Sequence, residues 1–293
     1  MPENAAVRLE EMIRISVRAK MGQDDSGELD AMPLNELLIY YLNWAGRLVD
    51  RRPRRAHLSP ALTDGPEYRA QRNLVDAIVV EIETGEDLTP RLSKRIEQRY
   101  IPSAKRRFRL NLRHDLDLLL ADWRIHHLHI SGNHESDGFV KRGSELLFVR
   151  FEHDDAYLIQ LLDHTSWTDR TLLEICVRAW PQAHLFPSLG GLRQVWPTTD
   201  QELTDYRNAG MVTAMEVDGV LYMPPGQSLA GMPNDATEKS NELMRRLHEW
   251  ERAIELGHDA AGGTWVAHEQ PGTGRFGFLE TTTGEFRKVV GMT

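Results

Sequence analysis

The chain has 293 residues, 41% of them hydrophobic, enough for one large domain or two ordinary ones with a proper core. Charged residues make up 27% and the net charge is -9, which favours solubility and disfavours a nonspecific grip on nucleic acid or anionic membrane as the dominant behaviour, while leaving local basic patches open. A single cysteine, Cys176, excludes an internal disulfide and a thiolate zinc cluster. It sits in LLEICVRAW at a helical spacing that reads as core. The opening MPENAAVRLEEMIRISVRAK has acids near its start and no apolar run of signal-peptide length, and no stretch approaches a membrane-spanning apolar run. The expectation is a cytoplasmic protein with no membrane partner.

Residues 5 to 20 and 33 to 49 carry apolar positions at three- and four-residue intervals, the second beginning at Pro33, so the chain opens with helices. RRPRRAHLSPALTDGP reads as a proline-rich basic linker. EYRAQRNLVDAIVVEIETG is helical again and ends at Gly85. LTPRLSKRIEQRY reads as a short further helix, and KRRFRLNLRHDLDLLLADW as a basic run entering an amphipathic one. The period then changes from 3.6 to 2: WRIHHLHI, ELLFVRFE and AYLIQLLDHT read as three strands, the last two joined by HDD as antiparallel neighbours. TDRTLLEICVRAWP returns to helix, with Thr168 as N-cap and Pro181 beyond its end. TTDQELTDYRNAG is a capped helix ending at Gly210, MVTAMEVDGVLYMPP a hairpin about Asp218-Gly219, and DATEKSNELMRRLHEWERAIELG a long amphipathic helix. The tail from GGTWVAHEQ onward reads as strands between glycine-rich turns. The fold class is therefore α+β: a helical N-terminal region (1–104), a central antiparallel sheet with flanking helices (105–190), and a C-terminal αβ portion (191–293). Gly190-Gly191, between prolines, marks the second boundary.

The chemistry concentrates in WRIHHLHISGNHESDG, where His126, His127, His129 and His134 fall close together. GNHE matches part of a metallophosphoesterase signature, but a two-metal centre also needs DxH and GDxxD ligand sets, and neither occurs in the chain. SGNHESDG therefore reads as a turn-rich connection between strands. In a strand, His127 and His129 share a face with Ile125, and His126 takes the other with Leu128 and Ile130. That leaves three readings open. His127 and His129 could chelate a metal with Asp163 or His164. They could instead lie on a half-exposed sheet face with His126 in the core, or they could do acid/base chemistry. Imidazole titrates near neutrality, so a histidine pair can take one proton and deliver another, while arginines steady a developing phosphorane charge. Those are the requirements of metal-free RNA cleavage, in which the ribose 2′-OH is the internal nucleophile that DNA lacks.

DWRIHHLHI followed by ELLFVRFEHDDAYLIQLLDHTSW, about residues 122 to 168, resembles the C-terminal half of the RelE/YafQ family of ribosome-dependent toxin ribonucleases. In that family a histidine-bearing strand precedes a strand of the LL-x-Y-x-(L/I) type, and the final strand ends in (S/T)-H-S. The resemblance implies that His129 and His164 are the acid/base pair and that Arg150 lies in the middle strand where some members carry an arginine. It also implies an RNA substrate presented on the ribosome and an antitoxin partner. The chain departs from the pattern in several ways: it is about three times longer and acidic, Leu128 stands at the cysteine-like position, the first loop is expanded by HESDGFVKRG, and Asp137 is the candidate for the family's acidic residue.

On this basis the expected function is a metal-independent endoribonuclease of toxin or phage-defence type, needing no cofactor. His129 and His164 exchange protons, His127 assists, and Arg150 and Arg124 stabilise the phosphate. Arg106, Arg107 and Phe108 in KRRFR, with Lys141 and Arg142, lead RNA toward the sheet. RRPRR (51–55) is a second basic patch whose plain alternative is a solvated linker. Two other classes stay open: a noncatalytic interaction protein of a mobile element, recognisable by His129 and His164 lying apart or covered, and a histidine/carboxylate metal hydrolase.

Overall fold

The computed structural model describes residues 5–22, 26–100, 118–163, 170–192, 199, 201–202, 205–206, 213–226, 234–255, 265–270, 275–280 and 286–291. The chain divides into two compact units, one of residues 1–45, 99–102 and 235–293, the other of 46–98 and 103–234. The first unit thus joins the N-terminal helices to the C-terminal strands, and the chain passes from it into the second unit at 102/103, beside the expected boundary near 104.

In the first unit α1 (Ala5–Met21), α2 (Glu28–Ala31) and α3 (Leu34–Ala45) are followed, far along the chain, by α8 (Asn234–Glu255). Leu9, Ile13 and Val17 recur every four residues on one side of α1 and pack with Leu37, Leu38 and Tyr41 of α3 and with Leu243 and Leu247 of α8. The strands β8 (Trp265–Gln270), β9 (Arg275–Glu280) and β10 (Phe286–Gly291) form an antiparallel meander, as the glycine-separated tail predicts.

The second unit contains β1 (Arg55–Leu58), α4 (Pro60–Asp64), α5 (Pro66–Thr84), α6 (Leu118–Trp123), β2 (Ile125–His129), β3 (Glu145–Phe151), β4 (Asp155–Asp163) and α7 (Thr171–Ala179). The three central strands fall where the period-2 segments predict them, and β2–β3 and β3–β4 are antiparallel. The sheet, however, is mixed and not purely antiparallel: its order is β1-β4-β3-β2, with β1 parallel to β4 at the edge. RAHL, expected to be linker, is that edge strand. Four residues are too short to show a period, and β1 finds its partner about 100 residues downstream. The helix α4 also falls in the stretch expected to be linker: Ser59 accepts the Leu62 N–H at 2.9 Å ahead of Pro60, and its hydroxyl donates to Ile159 O at 2.6 Å, tying α4 to β4.

Gly85 ends α5 as expected, with φ 77° and its N–H turned back on the carbonyls of Glu81 and Ile82. A Cβ there would lie 2.6 Å from the backbone of Arg52 and Pro53, so glycine serves both the turn and the close approach. The expected helix over LTPRLSKRIEQRY is instead two 3-10 turns, Thr89–Arg91 and Lys94–Glu97. Arg170, not Thr168, precedes the first turn of α7, and Thr168 lies outside the described residues. Beyond α7, β5 (Ser188–Leu189), β6 (Met215–Val217) and β7 (Val220–Tyr222) make a small sheet. β6 and β7 turn at Asp218 and Gly219, both at positive φ, which is the primed hairpin that the Asp-Gly pair announces. Thr199 and Glu202 exchange the reciprocal bonds of a capping box, while Gly210 is outside the described residues.

Both faces of the main sheet are covered. On one, Leu128, Leu147, Val149 and Leu158 meet Val75, Ile78 and Ile82 of α5. On the other, Ile125, Leu146, Phe148 and Ile159 meet Leu172, Leu173 and Cys176 of α7, together with Trp180 and Phe186. Cys176 is wholly buried there and burial pushes its thiol up to about 12, in keeping with a core role.

Candidate functional site

All five residues of β2 are buried. The alternation is as predicted: His127 faces Phe148 on the α7 side, ring centres 6.3 Å apart, and His126 meets Phe151 on the other side at 5.3 Å. The expected half-exposed face does not exist. His126, His127 and His129 are 7%, 6% and 3% exposed, because α7 and the chain after it close over the side that His127 and His129 share. Both imidazoles are thus largely withdrawn from solvent in this structure, where the expectation had them act on a bound phosphate. His164 lies outside the described residues; the β4 ladder is described to Asp163, opposite Glu145. Among the described residues no group of three or more histidine, cysteine or carboxylate side chains is placed to hold a metal.

SGNHESDG forms the expected turn-rich connection. His134 bridges to Val140, the Glu135 N–H bonds Phe139 O at 2.7 Å, and Lys94 binds the carboxylates of both Glu135 and Asp137. Asp137, the candidate for the family's acidic residue, is thereby tied to the 3-10 turn. Lys141 and Arg142 are exposed on the same loop. Arg106, Arg107 and Phe108 lie outside the described residues. RRPRR is no free phosphate track: Arg54 is buried and donates to Glu152 O and Asp50 O at 2.9 and 2.8 Å, Arg51 pairs with Asp87, and Arg55 with Asp155.

Arg150, by contrast, lines an open groove of about 710 Å³ at the β3–β4 turn. Glu152, His153, Asp154, Asp155 and Tyr157 line it from the hairpin, and residues 183–188 with Pro225 complete it. Arg150 is 8% exposed, donates from Nη1 to Trp123 O at 2.7 Å, and stacks its guanidinium 5.5 Å from the Phe186 ring centre. Its Nε and Nη2 both reach Glu152 Oε1, at 2.8 and 2.7 Å. Arg124, set between α6 and β2 at φ 58°, is lowered to about 10 by burial and then by the nearby Arg150 charge, and keeps its proton at neutral pH. Arg124 does not line this groove.

Two histidines border the groove. His153 Nδ1 is 2.6 Å from Asp154 Oδ1. His184 is exposed and held at φ 47°, a left-handed conformation that non-glycine residues seldom take and that clusters at functional sites. At the rim, His57 Nε2 donates to Asp155 Oδ1 at 2.8 Å and stacks on Tyr157, while Arg55 reaches both Asp155 oxygens at 2.9 and 3.1 Å. The His57 bond and then Arg55 hold the Asp155 carboxyl below its ordinary range. Burial first, then Asp155 and Glu152, raise the Tyr157 phenol, which stays a hydrogen-bond donor at neutral pH.

His57, Glu152, Asp155, Tyr157 and His184 escape the sequence reading because their meeting depends on β1 pairing with β4 and on residues 183–188 folding back. HDD was legible as a turn, but not as one wall of a groove.

The Asp155 cluster has a testable pH signature. A carboxyl with a lower proton affinity folded than unfolded adds stability above the ordinary carboxylate range, about pH 4, and loses it as the pH falls through the folded value. Asp155→Asn is expected to cost about 1 kcal/mol at neutral pH, as an ion pair with one exposed partner does. The difference from wild type in urea melts should shrink on acidification; a gap independent of pH would remove this assignment.

No family model, curated protein or solved structure matches this chain.

Proposed function

We propose that the chain is a metal-independent endoribonuclease of toxin or phage-defence type, and that its chemistry takes place in the groove at the β3–β4 turn. The observation that carries the reading is that Arg150, the cation singled out in the sequence, lines a solvent-open groove together with two histidines and a protonated tyrosine. These are the parts that cleavage through the ribose 2′-OH needs. A base removes the 2′ proton, the 2′ oxygen forms a bond to phosphorus as the bond to the 5′ oxygen breaks, and an acid gives that oxygen its proton. The products are a 2′,3′-cyclic phosphate and a free 5′-OH. His153, steadied by Asp154, and His184 serve as base and acid, Arg150 faces the nonbridging oxygens, and the buried His127 and His129 hold the strand beneath. The strand meander β2–β3–β4, on which the RelE/YafQ resemblance falls, supports the same class; ribosome-bound RNA and an antitoxin follow from that resemblance, and a cytoplasmic setting from the expectation drawn from the sequence's apolar pattern.

The test is incubation of purified full chain with single-stranded RNA in excess EDTA, with and without ribosomes. Cleavage is expected to persist in EDTA and to fall about 100-fold or more in His184→Asn, which tolerates the left-handed backbone. His129→Gln should lower the rate only as far as it lowers the folded fraction. RNA left intact under both conditions overturns the reading.

A noncatalytic interaction protein is the second reading, and one observation favours it: His129, one of the two histidines that reading expects to be covered, is buried. It expects intact RNA at every enzyme concentration.

A further inference from the structure

We propose that the Arg150 guanidinium is a receptor for a single phosphate group and that Glu152 occupies it as an internal stand-in until a phosphate displaces the carboxylate. The ligand class rests on reading the groove as an RNA-cleaving site; the exchange itself rests on geometry.

Arg150 is immobile for three independent reasons. Its Nη1 is committed to Trp123 O, its guanidinium is stacked near Phe186, and its side chain is only 10% exposed. Glu152 differs on each count. Its backbone is fixed by the turn, through its N–H to Asp155 O at 2.9 Å, but its side chain is 41% exposed and can swing into water without uncovering apolar surface. The contact is also asymmetric. Two guanidinium donors, Nε and Nη2, converge on one oxygen, Oε1, in place of the parallel two-oxygen fork of a fully engaged carboxylate. A nonbridging phosphate oxygen can take that same position, with a second oxygen reaching the guanidinium hydrogens beyond these three contacts.

Burial makes the stand-in necessary. A guanidinium removed from water needs an anion beside it, and the positive charge of Arg124 nearby adds to that demand. With Glu152 in place the resting groove carries no excess positive charge, since Glu152 answers Arg150, Arg55 answers Asp155, and Asp154 adds a further carboxylate. The groove therefore does not attract polyanions at long range. It admits one phosphate by exchange, so the affinity should have a shallow salt dependence, of about one counterion.

Binding, not turnover, is the decisive readout. Inorganic phosphate and a short single-stranded oligodeoxynucleotide, which lacks the attacking 2′-OH, would be titrated into wild type, Glu152→Gln and Glu152→Gln/Arg150→Gln, with melting curves to confirm folding. Glu152→Gln is expected to bind both probes about tenfold more tightly, because a charged intramolecular competitor has been removed, and the double variant to lose the gain. Should either variant fail to fold, the Arg150 Nε–H resonance of wild type is followed in a phosphate titration instead, and is expected to shift. Unchanged affinity in a folded Glu152→Gln, a gain that survives loss of Arg150, or an unmoved Nε–H resonance overturns the proposal. The two readings fail separately. Intact RNA with a tenfold gain in Glu152→Gln removes the ribonuclease and keeps the phosphate receptor; RNA cut in EDTA with no gain does the reverse.

Discussion

Gly226→Ala is expected to destabilise the unit containing the mixed sheet by about 3 kcal/mol or more, at the upper end of overpacking effects. Gly226 follows β7 and passes directly over the C-terminal end of α6. Its N–H donates to Asp122 O at 3.0 Å, answering one of the carbonyls that a helix end leaves without an intrahelical partner. The approach is so close that an added Cβ would fall 1.7 Å from Ala121 O and 2.7 Å from Ala121 C, both backbone atoms that cannot rotate aside. Relief requires the chain after β7 to lift from α6, with loss of the hydrogen bond and disturbance of the Trp123 carbonyl that holds Arg150. Gly190→Ala is the control: nothing lies within 4 Å of its Cβ, so a change of a few tenths of a kcal/mol is expected. Urea melts of the two variants measure the contrast, and a Gly226→Ala midpoint equal to that of Gly190→Ala would show the approach to be looser than described.

The second large effect is expected at Arg91, where Arg91→Met should cost about 3–5 kcal/mol, the range for removing one partner of a buried ion pair. Arg91 is 8% exposed and grips Glu81 of α5 through both sides of its fork, Nε to Oε2 at 2.5 Å and Nη2 to Oε1 at 2.6 Å. Its Nη1 also donates to His129 O at 3.1 Å, at the end of β2 where His129 pairs with Leu146 of β3. One side chain thus joins a helix, a 3-10 turn and the end of the histidine strand. Arg91→Met leaves the Glu81 carboxylate in a mostly covered place without its cation, and Arg91→Lys cannot reproduce the planar fork. Adding Glu81→Leu to Arg91→Met should recover much of the loss, because the desolvated charge is gone. Equal stability of the single and double variants in denaturant melts would count against this account.

Both predictions concern places where distant segments meet, and the same distinction separates what could be read in advance from what could not. The change of period after Trp123, the Asp-Gly hairpin at 218–219, the glycine stop at 85 and the cap of Thr199 on Glu202 are each written within a few residues, because side-chain periodicity and turn chemistry are local consequences of backbone geometry. RAHL was misread because a four-residue strand has no measurable period. Arg150 was legible as one of the cations, with Arg124, Lys141 and Arg142, in the histidine-rich segment. His184 had no comparable signal, since its left-handed backbone arises from how residues 183–188 fold back.

The amino-acid order by itself determined the α+β class, the three central strands and the opposite facing of His126 and His127, since alternation along a strand is intrinsic to the chain. Only tertiary packing decided whether those faces would meet water. α5 closes one and α7 with Phe186 the other, so His126, His127 and His129 are interior, while the exposed His153 and His184 border a groove made by segments that are remote in sequence. Solvent access depends on what packs against a face, and that partner is specified elsewhere in the chain.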